Sequence, residues 1–285
     1  MTVDLTAIAG LRLTCRQTLT PRDVMLYALG VGLGADPLDE QQLRYVHEDG
    51  LKALPTLAIT LTYPPLLAAY EAAGIVPHRV LHGEQRFQLH RPLPVEAELE
   101  GETRVVHRLD KGPGRGLLIY YCTEIRDAGS GEALATLTSS SFCVDEGGRG
   151  GDEGAAPIVR QAIPARCPDG TCALATLPQA ALIYRLSGDW NALHAVPAVA
   201  RAAGFERPIL HGRCSFGVAG HAILRSVCGY DATRLQSMTA RFTAPVYPGE
   251  TLRTDHWHVP EGVVFRTVVV ERNVVALDNG FAAIS

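Results

Sequence analysis

An α+β protein, a duplicated unit of helix laid across antiparallel strands, is what the sequence predicts, and three observations carry that prediction. Extended, alternating stretches separated by Gly- and Pro-containing turns occupy both halves of the chain. A three-and-four spacing of apolar residues marks a helix in the second half. Short motifs also recur, in the same order, on either side of a glycine-rich break.

The first half, residues 1–144, reads as helical material followed by strands near 85–89, 95–108, 116–126 and 132–144. Lys-Gly-Pro-Gly-Arg and Ala-Gly-Ser-Gly divide the last three, as hairpin turns do. A connecting segment, 145–177, opens with Asp145–Gly154, which holds five glycines, four acids and no hydrophobic residue and so predicts a flexible linker. The second half, 178–285, places Phe216, Ala219, Ile223 and Val227 on one face of a helix that Gly229 stops. Strands follow near 235–246, 251–259, 263–271 and 274–284. Val80-Leu-His-Gly83 is echoed by Ile209-Leu-His-Gly212, and Arg86-Phe87 with Pro92 by Arg241-Phe242 with Pro245.

The 285 residues are 47% hydrophobic and 20% charged, an ordinary globular composition with ample chain for a core. A net charge of −4, with Lys and Arg scattered, argues against nucleic acid or an anionic membrane as partner. No run approaches the ~18 apolar residues of a membrane span, and Met1 to Arg12 lacks the form of a secretory leader. Seven cysteines, an odd number without a Cys-x-x-Cys pair, read as reduced thiols. With an Ala-Ala-Ile-Ser ending that matches no peroxisomal address, they predict a cytoplasmic protein.

The chemistry concentrates in residues 184–217. Asp189, Asn191 and His194 lie within six residues on a Gly-containing loop, Pro197 suits the first turn of a short helix, and Gly204 closes it. A carboxylate and an imidazole on one loop can grip a water and divide proton donation from abstraction. The same three residues also suit an Asx-turn beside a core histidine. Trp190 and Leu193, alternating with the polar residues, suggest a partly dry wall. Gly212 opens the next helix, where a backbone N–H is a natural donor to a developing oxyanion.

Glu84 is a candidate second acid, with a structural role favoured, and the repetition of His82 and His211 favours a structural role for both. His256 and His258 share a strand face but lack a third ligand, so no metal site is expected. Gly112–Gly116 is a hairpin turn, with no helix after it to cradle a phosphate.

At Tyr184-Arg-Leu-Ser-Gly-Asp-Trp-Asn-Ala-Leu-His194 and Ala203-Gly-Phe-Glu-Arg-Pro-Ile-Leu-His-Gly212 the chain resembles the type 2, (R)-specific enoyl-CoA hydratases, MaoC-like dehydratases with a double hot-dog fold. The likeness extends through Ala240–Leu252, Tyr27–Gly32, Ala53–Thr56 and Leu81–Gln85, almost the whole chain. It implies reversible hydration of trans-2-enoyl-CoA to (3R)-hydroxyacyl-CoA, with Asp189 and His194 as the dyad, Gly212 N–H on the thioester oxygen and Asn191 orienting the pair. It further implies an acyl-CoA substrate, no metal or redox cofactor and a homodimer.

The likeness breaks at Ala192 (usually Pro), Val196 (usually Asp) and Arg213, where the family tends to be apolar. Gly32 and Pro37 align with the dyad positions, so the first half should give acyl-chain room and no chemistry. On that view 53–61 lines an apolar pocket whose affinity rises with acyl length. Thioester hydrolysis and non-catalytic acyl-CoA binding are the rival functions.

Overall fold

The computed structural model describes residues 5–76 and 79–285. Residues 1–4, the start of the range assigned to the first half and of the stretch read for a leader, lie outside it. The strands are β1 (Arg12–Leu19), β2 (Val80–Leu89), β3 (Ala97–Asp110), β4 (Leu117–Asp127), β5 (Ala133–Cys143), β6 (Gly170–Ala175), β7 (Leu235–Phe242), β8 (Thr251–Val259), β9 (Gly262–Val269) and β10 (Val274–Ile284). The α-helices are α1 (Leu5–Ala9), α2 (Pro21–Gly30), α3 (Glu40–Leu43), α4 (Leu66–Ala72), α5 (Ala180–Tyr184), α6 (Pro197–Ala202) and α7 (Gly212–Ser226).

The strands form one antiparallel sheet in the order β1-β3-β4-β5-β2-β7-β10-β9-β8-β6. Read from either edge inwards, the order is the same: first strand, third, fourth, fifth, second. That is the expected duplication, two five-stranded units joined through their second strands, and it makes the α+β, double hot-dog architecture of the chain. At the join, Arg86 pairs with Thr239 and Phe87 with Met238.

Two strands escaped the sequence reading, and one of them, β6, lies inside the 145–177 segment read as a connection. It pairs with β8 from Gly170 against His256 to Ala175 against Thr251 and completes the second unit. Nor does Asp145–Gly154 hang free. Asp145 pairs with Arg79 at 2.7 Å and Asp152 with Arg108 at 2.6 Å, while Asp110 accepts from the N–H groups of Gly148 and Gly150. Its glycines let the backbone press against the β3–β4 turn, where Gly147 would carry a Cβ into Gly112.

Helix α7 is the central element, buried from Cys214 to Leu224. Its first-half counterpart is a six-residue 3₁₀ turn, Pro55–Thr60, also wholly buried. The two pack together because α7 carries glycines where the first half arrives: a Cβ at Gly217 would strike Tyr27 and Val31, and one at Gly220 would strike Thr56. Each glycine costs a helix roughly 1 kcal/mol against alanine, which close packing offsets here. One echo in the sequence is not part of the duplication. Ile209–Gly212 leads into α7, whereas Val80–Gly83 lies in β2, whose register with β5 slips between His82 and Glu84.

Candidate active site

The loop between α5 and α7 is built from short capped turns. Gly188, at φ 113°, reverses the chain after Arg185–Ser187 in a conformation that costs a side chain dearly. Asp189 Oδ1 then accepts from Asn191 N–H at 3.2 Å, and Asn191 Oδ1 from Leu193 N–H at 3.0 Å. The second bond caps the 3₁₀ turn Ala192–His194, which needs no proline at 192. The Asx-turn reading and the paired-residue reading therefore describe the same loop. Pro197 opens α6, Gly204 follows it at φ 88°, and Val196 stands at the N-cap without a side-chain bond.

His194 is 9% exposed, and its Nδ1 lies 2.9 Å from the carbonyl oxygen of Ile209. A carbonyl only accepts, so Nδ1 carries the proton and Nε2 of the neutral ring keeps its lone pair. His211, expected to be structural, stacks on this ring with centroids 3.8 Å apart and planes at 29°. Its Nε2 donates to the backbone carbonyl of Asp189 at 3.2 Å, and its buried Nδ1 has no hydrogen-bond partner among the described residues. One ligand atom each from Asp189, His194 and His211 lie within 4.8 Å of one another, which among the described residues is the one cluster spaced closely enough to hold a metal ion. His256 and His258 meet edge to face at 5.6 Å and belong to no such cluster.

Burial pushes the His194 imidazole below its ordinary range, opposed by the Asp189 carboxylate. It takes His211 down to about 3, with repulsion from His194 adding to the effect, and His221, on α7, down to about 4. These rings fold neutral, whereas in the unfolded chain they protonate near their usual value of about 6.5. Below that value the unfolded state binds more protons, so stability falls with pH by up to ~1.4 kcal/mol per pH unit for each histidine. The urea midpoint is therefore expected to drop between about pH 7 and about pH 5; an unchanged midpoint would mean that these rings do not fold as neutral groups.

Asp189, Asn191, His194 and Gly212 line one cavity of about 270 Å³, whose opposite wall comes from the first half through Tyr63, Leu66 and His82. Gly212 is the first residue of α7, and a Cβ there would sit 3.2 Å from the Phe242 ring. That ring also packs on His82 at 4.5 Å, so both Leu-His-Gly motifs face the same space from opposite sides. Leu193 is part of the wall, but Trp190 is 57% exposed and lies under the Arg185 guanidinium instead. None of residues 53–61 lines this cavity either, and Ala58 is fully buried in the core. The polar Ser139, Ser140 and Ser141 of β5 contribute instead, which no local pattern in the sequence signalled. Glu84 is tied by Tyr120 at 2.6 Å and Arg160 at 2.8 Å, the structural role expected for it.

Comparison with known proteins places these residues in a lineage. Residues 159–279 match the MaoC like domain, and 18–145 match the MFE-2 hydratase 2 N-terminal domain. The chain is 37% identical over 279 residues to the peroxisomal enoyl-CoA hydratase 2 of Arabidopsis thaliana, covering 92% of this chain and 89% of that one. It is 40% identical over 268 residues to 3-hydroxyacyl-thioester dehydratase Y of Mycobacterium tuberculosis, covering 92% and 91%. The crystal structure of a MaoC-like dehydratase from Phytophthora capsici superimposes with a TM-score of 0.85 at 34% identity, over 99% of both chains. With both halves matched and the likeness running nearly end to end, the chain belongs to the MaoC-like dehydratases of the enoyl-CoA hydratase 2 type.

Proposed function

We propose that the protein is a hydro-lyase that adds water to trans-2-enoyl-CoA thioesters to give (3R)-hydroxyacyl-CoA, and runs the reverse dehydration. The observation that carries this reading is the convergence, in one cavity, of a carboxylate, a neutral imidazole and the start of a long helix, from Asp189, His194 and Gly212. Asp189 and His194 hold one water. His194 Nε2 takes a proton from it as the oxygen bonds to C3, and the π electrons of the alkene move to the thioester oxygen. The Gly212 N–H, which no turn of α7 uses, meets that charge. The imidazolium then returns the proton to C2, while Asp189 accepts from the new hydroxyl. Asn191 acts on position: its side chain caps the turn that presents His194.

The scheme needs no metal or redox cofactor, since the thioester itself activates the alkene. Incubation with crotonyl-CoA is the test. Loss of the conjugated enoyl absorbance is expected; release of free thiol would instead mean hydrolysis, and neither change would mean an acyl-CoA binder.

We also propose a homodimer. Leu29, Leu182 and Leu186 are exposed on α2, α5 and the turn after α5, elements that pack on one another, and such an apolar patch suits a self-complementary contact. A monomer mass by light scattering would remove that claim. No described helix is long and apolar enough to cross a membrane. The cytoplasmic reading rests on the free cysteines, beside a relative named as peroxisomal.

A further inference from the structure

The cavity wall holds a cation that the hydration chemistry leaves unused. Arg213, the residue after Gly212 on α7, is partly buried and lines the cavity. Its Nη1 donates to the carbonyl oxygen of Ile59 at 3.0 Å, and its guanidinium lies 4.4 Å over the Tyr63 ring. Both contacts belong to the first half, and one of them, Tyr63, is itself on the cavity wall. No carboxylate of the described residues lies within ion-pair distance of it. Among the described residues, Asp189 is the one acidic side chain on the cavity wall. Two further polar atoms on this wall, His82 Nε2 and Ser140 Oγ, are buried without a hydrogen-bond partner among the described residues.

We propose that Arg213 sets substrate choice by receiving an anionic group, a carboxylate, at the far end of the enoyl chain. This deepens the hydration reading and rests on it. With the thioester oxygen at Gly212 and C3 at the Asp189–His194 pair, the rest of the acyl group extends towards the first-half wall. An alkyl end there would bury a guanidinium and unpaired polar atoms against methyl and methylene groups, which is costly. A carboxylate would take the two-pronged bond that arginine forms best, with His82 and Ser140 within the same wall to complete its shell. The ligand class is thus a short-chain dicarboxylic acid carried as its mono-CoA thioester.

The experiment compares trans-2-hexenoyl-CoA with the mono-CoA thioester of trans-2-hexenedioic acid, which has the same carbon count and one added carboxylate, in the wild type, Arg213→Leu and Arg213→Lys. The wild type is expected to favour the diacid in kcat/KM by about tenfold or more, chiefly through KM. Arg213→Leu is expected to invert the preference, and Arg213→Lys to keep part of it. A wild type that favours hexenoyl-CoA overturns the proposal, whatever the variants do. So does an Arg213→Leu variant that slows both substrates equally, because Arg213 would then act on the fold or on Asp189. If the wild type hydrates neither of them nor crotonyl-CoA, the hydration reading itself fails and this inference goes with it.

Discussion

Asp189→Asn is expected to lower kcat for crotonyl-CoA hydration by roughly 10²–10⁴-fold, and His194→Ala by a similar factor, because positioned proton transfer alone is worth that much. The asparagine keeps the side-chain volume and an oxygen for the Asn191 N–H, so the loop has what it needs to hold its shape. The loss then reports the missing negative charge. His194→Ala removes both the Nε2 lone pair and the ring that stacks on His211. Its melting temperature needs to be measured alongside its activity. Since the two groups work on one water, the double variant is expected to be little worse than the poorer single one. Near wild-type turnover in Asp189→Asn would sink the assignment.

The Gly212 N–H can be deleted without breaking the helix, which makes it unusually open to test. Gly212 is the first residue of α7, and proline is welcome there because the N–H it lacks has no partner within the helix. The preceding residue, His211, has φ −56° and ψ 132°, a conformation that proline tolerates before it. Gly212→Ala serves as the control, since it adds the same Cβ at 3.2 Å from Phe242 but keeps the N–H. Gly212→Pro is expected to lose roughly 10²–10³-fold in kcat beyond whatever Gly212→Ala loses, the usual effect of removing one oxyanion donor. Equal losses in the two variants would mean that crowding against Phe242 matters and the donor does not.

Much of this architecture was legible in the sequence because its strands and α7 carry their own periodicity. The β3–β4 hairpin shows long alternation around a Gly-Pro-Gly turn, and α7 shows apolar residues every three or four positions. The two edge strands were not legible, for a physical reason. β1, Arg-Leu-Thr-Cys-Arg-Gln-Thr-Leu, is fixed by distant partners, among them Arg12 with Glu102 and Arg16 with Glu100. β6 is short, rich in alanine and held at one side only, by β8. At the site, the Asp189–His194 loop was readable because its members are sequence neighbours. The stacking of His211 on His194 and the serines of β5 depend on tertiary approach, which spacing along the chain does not encode. Repetition of His82 and His211 suggested structural roles, yet the two motifs differ in secondary structure and share only the cavity they face.

The pairing of β2 with β7 has a consequence for how the chain is made. Arg86 and Thr239 are neighbours in the sheet but are roughly 150 residues apart in sequence. At synthesis rates of about 5–20 residues per second, β2 leaves the ribosome on the order of 10–30 s before the strand that will cover it. During that interval the nascent first half presents an open row of backbone donors and acceptors around Phe87, a template for pairing with any other extended chain. Synthesis itself is thus a stage exposed to aggregation: slowing translation after the first half should raise the insoluble fraction, and supplying the second half as a separate, earlier-made chain should lower it.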